Sequence, residues 1–218
     1  ATAIRNVSEI ISLFPNEEIL VVVSAIGKTT NKLEEVNQAY QSMDKAAFLK
    51  SIAELEKFHL ELVNELFKSA SNPIYYTIKE VFDNLKAKII SPSSQNYSFE
   101  YDQIVSLGEV LSSSILSAYL SEKDFPATWI DARELVQTDN NYQEANVDWG
   151  KTEIAISRTI LPKFKEKKVL ITQGFIGGTA EGKTTTLGRE GSDYSAAIFA
   201  YCCNVESVTI WKDVPGML

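Results

Sequence analysis

Arg189 and Asp193 stand in the run Thr184-Thr185-Thr186-Leu187-Gly188-Arg189-Glu190-Gly191-Ser192-Asp193, which gathers a guanidinium, two carboxylates, four hydroxyls and two glycines. An arginine presents a planar fork of donors that fits a carboxylate or a phosphate. Ser192 and Asp193 are helix-capping types, because their side-chain oxygens accept from orphan backbone N–H groups. An apolar-periodic segment, Tyr194 to Tyr201, follows them. A glycine-flanked turn feeding a helix N-terminus supplies N–H donors and the positive dipole end, both suited to an anion. A purely structural turn has no need of an arginine and three threonines, so the run reads as a ligand site.

A second phosphate signal lies just upstream. Gly177-Gly178-Thr179-Ala180-Glu181-Gly182-Lys183-Thr184 satisfies the formal P-loop pattern and follows an apolar run. In a true P-loop the helix begins at the Lys-Thr, so that its N-terminus holds the phosphates. Here three β-branched residues and two glycines follow Lys183 before any helical register begins. The match reads as coincidental and Lys183 as a solvated loop lysine.

Other reactive types are sparse. Gly108-Glu109 falls near the start of a helical stretch. A glycine there costs about 1 kcal/mol relative to alanine, which suggests close approach of a ligand or backbone. Taken alone, Glu109 reads as a solvated helix carboxylate. His59 is the single histidine, without cysteines nearby to share a metal, and reads as a helix-surface or packing residue. The adjacent Cys202 and Cys203 cannot readily bridge each other and read as small buried hydrophobes in a reducing compartment.

These residues need elements to position them. Ile19 to Val23 and Val169 to Thr172 are continuous β-branched or aliphatic runs, the mark of strands buried on both faces. The first ends in a small-residue loop, Ser24 to Asn31, then a helix from Lys32 to Tyr40. Ile52, Leu55, Phe58, Leu62 and Leu66 mark an amphipathic helix within Lys45 to Ser69. Further helices are expected over Ile74 to Ile90, Tyr101 to Leu120 and Gly150 to Phe164, and at the start over Ile4, Val7, Ile10 and Ile11. Short strands are expected over Phe125 to Ile130 and Ser207 to Trp211. Strands alternating with helices, without hairpin signals, predict an α/β fold around a mainly parallel sheet.

Composition narrows the function. The chain has 218 residues, 44% of them hydrophobic, enough to bury a core, and a net charge of −8. That charge argues against nucleic acid and membrane surfaces as partners. No signal peptide is expected and no apolar run approaches a membrane span, which points to the cytoplasm.

Five collinear blocks between Val21 and Gly216 resemble the aspartate kinases of the amino acid kinase superfamily. Val21 to Leu33 is similar to that family's first glycine/threonine loop, and Ser106 to Ser112 to its Gly-Glu helix. Asp131-Ala132-Arg133 with Thr138-Asp139 is similar to a further block. Thr172 to Gly177, continued by Gly188 to Tyr194, matches its most specific signature, and Ile210 to Gly216 resembles its nucleotide-side strand end. The resemblance implies a three-layer αβα sandwich. It also implies transfer of the ATP γ-phosphoryl to the β-carboxylate of L-aspartate, with Mg²⁺ bridging the phosphates, as an early step of amino-acid biosynthesis.

On that resemblance Arg189 and Asp193 are the catalytic pair. Arg189 would take the substrate α-carboxylate, and Glu109 with Asp193 would meet the ammonium. Thr30 and Ser192 would orient the reacting carboxylate, with Phe175, Glu190 and Gly191 completing the substrate loops. Ser24, Gly27, Lys212 and Asp213 fall to the nucleotide, and no protein metal ligand is implied. Residues 1–218 would be one catalytic domain without the family's Lys-Phe-Gly-Gly strand and regulatory ACT domains, from a full-length protein that forms a homodimer. Family members often carry Gly or Asn where Glu190 stands, and Thr where Lys212 stands. Other amino acid kinases and an inactive ligand-binding fragment are the competing readings.

Overall fold

The computed structural model describes residues 1–90, 94, 96–123, 125, 127–166 and 168–211. Its main sheet has the order β1-β3-β2, built from β1 (Ile19–Val23), β3 (Val169–Gln173) and β2 (Ala127–Trp129). Both pairings are parallel, with Val23 beside Gln173 and Trp129 beside Ile171.

The period of two along β3 sorts the core into two layers. Val169 and Ile171 join a cluster with residues of helices α1 (Thr2–Ser12), α2 (Thr29–Gln41), α3 (Lys45–Leu66), α4 (Ile74–Ala87), α5 (Tyr97–Val105) and α6 (Leu107–Glu122). Leu170, between them, joins the opposite cluster with residues of α7 (Ala132–Leu135), α8 (Trp149–Phe164) and α9 (Gly191–Cys203). Helices therefore cover both faces, as the αβα expectation requires.

Most helices fall within a few residues of their periodic patterns. His59 is fully buried, its Nδ1 2.8 Å from the Leu55 carbonyl and its ring edge-on to Phe58, so it is a packing residue. Burial holds its imidazole below the usual histidine range. Cys202 is buried, Cys203 half-buried, and both are free thiols.

Four expectations need correction. First, a hairpin exists: β4 (Ile176–Gly178) pairs antiparallel with β5 (Thr184–Thr186). The P-loop-like residues form its connection, with Lys183 exposed beside the turn. β-branched threonines suit a strand edge better than a ligand loop, so Thr184, Thr185 and Thr186 are buried strand residues. Thr185 Oγ1 lies 2.7 Å from Thr138 Oγ1.

Second, Ser207–Trp211 forms no strand. These residues are exposed, Trp211 by 72%, and an apolar run becomes a strand only where a sheet edge pairs it. Third, α9 begins at Gly191, so Ser192 and Asp193 lie in its first turn and Glu190 is its N-cap. Glu190 sits in the left-handed region, φ 57°, and makes no side-chain cap bond. Fourth, the stretch Tyr97–Glu122 is by length and composition apolar enough to cross a membrane. Its most apolar window is 78% buried within the fold, as befits a core helix.

Candidate functional site

Parallel strands deliver their following loops to one end of the sheet, where ligands of open α/β folds gather. Here β1 hands over to the Ser24–Lys28 loop, and β3 to Gly174-Phe175. The Gly174 N–H donates to the Val23 carbonyl at 2.9 Å, so the two loops leave adjacent strands side by side.

Three glycines let helix ends approach these loops. A Cβ on Gly108 would lie 2.9 Å from the Ala25 Cβ and 3.3 Å from Thr29 Cγ2. One on Gly174 would meet the Ser192 side chain at 2.9 Å, and one on Gly191 would strike the Phe175 ring at 2.6 Å. Close approach at Gly108, expected from its place in a helix, is thus the reason for the glycine. Phe175 itself takes φ 67°. Its N–H donates to Ser195 Oγ at 2.9 Å, and that hydroxyl donates to the Gly191 carbonyl at 2.9 Å. Left-handed phenylalanine costs on the order of 1 kcal/mol, and such strain persists where the surroundings over-determine it.

Glu109 is 3% exposed rather than solvated. The reason is the approach at Gly108, which lays the first turn of α6 against the β1–α2 loop. Glu109 Oε1 accepts the Ala25 N–H at 3.2 Å, and Oε2 is buried with no hydrogen-bond partner. Burial drives the carboxyl up to about 8, with the Ala25 N–H opposing. An unpaired buried acceptor costs about 1–3 kcal/mol. A cation arriving at Oε2 would relieve that cost.

The other expected residues distribute as follows. Thr30 is half-buried in the first turn of α2, while Ser24 and Gly27 are exposed in the preceding loop, Gly27 with φ 62°. Ser192 and Asp193 are half-buried in the first turn of α9. Asp193 is there the favourable charge for the helix dipole. Arg189 is exposed and lines a cleft of about 470 Å³ together with Asn141, Glu144, Asn146, Trp149 and Tyr194. Glu109 does not line that cleft, so the structure gives the guanidinium and the buried carboxylate separate surroundings. Lys212 and Asp213 lie outside the described residues.

Sequence reasoning missed Asp102 and Gln103. Asp102 is fully buried, and its carboxylate takes the N–H groups of Gln143 and Thr186 and the Thr186 hydroxyl. Burial raises its carboxyl to about 6 against those hydrogen bonds. The available signal was its spacing, seven residues before Glu109 and hence on the same helical face. Asp131 and Arg133, noted as a block, pair with each other, Arg133 Nε lying 2.8 Å from Asp131 Oδ1. Among the described residues no three His, Cys, Asp or Glu side chains cluster as metal ligands.

Comparison with known proteins agrees with this architecture. The chain is 32% identical over 198 residues to the lysine-sensitive aspartokinase 3 of Escherichia coli K12, covering 91% of this chain and 43% of that protein. It is 31% identical over 217 residues to the aspartokinase of Chlamydia trachomatis, covering 100% of this chain and 46% of that one. The chain therefore spans about half the length of the curated relatives it matches. Among solved structures, E. coli aspartokinase III in complex with aspartate and ADP superposes with a TM-score of 0.86 at 28% identity. That match covers 99% of this chain and 46% of the solved one. The amino acid kinase family profile matches residues 1–218 in full, and the chain belongs to that family.

Proposed function

We propose that this chain is catalytic-domain sequence of an aspartate kinase, which transfers the γ-phosphoryl of ATP to the β-carboxylate of L-aspartate. The observation that carries the reading is the orphaned, buried Oε2 of Glu109, an acceptor without a donor at the loop end of the parallel sheet. An α-ammonium group supplies the missing donor and charge. Support comes from the solved relatives, one holding aspartate and ADP, another lysine and aspartate.

In this reading the ammonium sits against Glu109 with Asp193 nearby. Arg189, exposed on the turn before α9, binds the α-carboxylate with two parallel N–H donors. Thr30, Ser192 and the loop N–H groups around Phe175 and Gly191 hold the β-carboxylate toward the nucleotide. Ser24, Gly27, Lys212 and Asp213 lie on the nucleotide side. Phosphoryl transfer needs positioning and charge neutralisation more than covalent help, and this set of residues offers both. Mg²⁺ would supply charge neutralisation at the transferring phosphoryl group. The loop hydroxyls would meet such a cation directly or through water, while the loop N–H groups would face the phosphate oxygens. The full-length protein acts as a homodimer in the cytoplasm.

The test is ATP-dependent formation of aspartyl hydroxamate by the full-length protein. Turnover of aspartate but not glutamate or acetylglutamate is expected. Glutamate turnover without aspartate turnover would replace this reading with another amino acid kinase.

A further inference from the structure

β5 has one edge paired to β4 and one edge open to the rest of the molecule. Side chains and a loop complete that open edge. The Gln103 amide donates to the Thr184 carbonyl at 2.7 Å and accepts the Thr184 N–H at 3.3 Å. Asp102 Oδ2 accepts the Thr186 N–H at 2.9 Å, and Oδ1 accepts the Thr186 hydroxyl at 2.7 Å. The Ala145 N–H closes the Thr186 carbonyl at 3.0 Å. Asp102 also takes the Gln143 N–H at 3.0 Å. The pair on α5 thus stands in for a neighbouring strand, and its carboxylate grips the residue from which the Leu187-Gly188-Arg189 turn departs.

The same helical rod carries Glu109. α5 runs into α6 through Ser106, which keeps helical dihedrals of φ −56° and ψ −20°. Seven residues is about two turns, or about 10 Å along the axis, and returns to the same face. One end of this rod binds the β1 loop through Glu109 and Ala25, and the other binds the Arg189 turn through Asp102 and Thr186. Asp102 has no cation partner among the ion pairs of the described residues. Its charge is met by hydrogen bonds alone, and so its hold on the turn depends on their geometry.

We infer that Asp102 is a positioning residue that fixes the Arg189 turn relative to Glu109, and thereby sets affinity for the amino-acid substrate without touching it. The inference rests on the amino-acid clamp proposed above. It separates Asp102 from Gln103, whose contacts hold Thr184 at the far end of β5 from Arg189.

The experiment compares the full-length wild type with Asp102→Asn, Thr186→Val and Gln103→Ala, measuring kcat and both KM values. Asp102→Asn puts an amide donor against N–H groups, and Thr186→Val removes one hydrogen bond without burying a new charge. Expected are a rise of about tenfold or more in KM for the amino acid with Asp102→Asn, and a smaller rise with Thr186→Val. The KM for ATP should stay within twofold, and Thr186→Ser should restore the wild-type value. Gln103→Ala should lower the melting temperature but leave the amino-acid KM unchanged. Equal losses for both substrates, or the same KM rise in Gln103→Ala, would overturn the inference. If Asp102→Asn does not fold, the contrast of Thr186→Val with Thr186→Ser decides it. Were the wild type to turn over another amino acid, the aspartate reading would fail, while the comparison would stand with that amino acid's KM.

Discussion

Glu109 Oε1 accepts the backbone N–H of Ala25 at 3.2 Å, joining the first turn of α6 to the loop that leaves β1. The other oxygen of that carboxylate is buried without a partner. A substrate ammonium would complete it, and this asymmetry makes Glu109 the most informative position to change. Glu109→Gln should raise the aspartate KM by about 30-fold or more, the cost of breaking a desolvated charge pair. Initial rates against aspartate concentration decide it, and an unchanged KM removes Glu109 from the substrate site.

Burial moves the Glu109 carboxyl up to about 8 from the ordinary glutamate value of 4.5, and the sign of the pH effect follows. A group whose folded value is raised contributes stability present below 4.5 and lost as pH rises through about 8. Glu109→Gln should therefore melt close to the wild type at pH 5 and above it at pH 9. Ligand binding runs the other way, because an ammonium requires the ionised carboxylate. Aspartate affinity, followed by calorimetry, should strengthen between pH 6.5 and 8.5, with proton release that disappears in Glu109→Gln.

Gly108→Ala sets two effects against each other. Alanine gains about 1 kcal/mol of helix propensity, but its Cβ would sit 2.9 Å from that of Ala25. Overpacking of this kind costs about 1–3 kcal/mol, and both atoms belong to short, unyielding groups. Net destabilisation and a weaker aspartate KM are expected, read by thermal melting and steady-state kinetics. A gain in stability would show that the loop yields freely.

Glu190 occupies φ 57° as the N-cap of α9. Left-handed backbone costs an ordinary residue about 1–2 kcal/mol and glycine almost nothing. Glu190→Gly should stabilise the chain by about 1 kcal/mol, or about 2–4 °C in Tm at this size. A fall in Tm would mean that the side chain's own contacts outweigh the strain.

Arg189→Ala and Lys183→Ala test the two phosphate-like signals against each other. Aspartate binding should become undetectable by calorimetry in Arg189→Ala. Lys183, exposed beside the β4–β5 turn, should be replaceable with less than a twofold change in the KM for ATP. A large loss there would revive the P-loop reading.

The sequence alone determined the parallel strands β1 and β3, the amphipathic helices and the glycine positions, because hydrophobic period and turn chemistry are local properties. It also marked the P-loop match at Lys183 as coincidental, since three β-branched residues and two glycines follow it before any helical register begins. Tertiary structure decided the rest. Thr184 to Thr186 looked like ligand hydroxyls until a hairpin and the Asp102–Gln103 pair claimed them, a pairing that joins residues more than 80 positions apart. Ser207 to Trp211 has a strand's pattern but no sheet edge to make it one. The run from Arg189 to Asp193 stood out by composition, yet its helix start and left-handed Glu190 come from the packing of Gly191 against Phe175. Glu109 shows the division most plainly. Its place after Gly108 was legible, but only folding could bury its carboxylate and leave one oxygen unpaired.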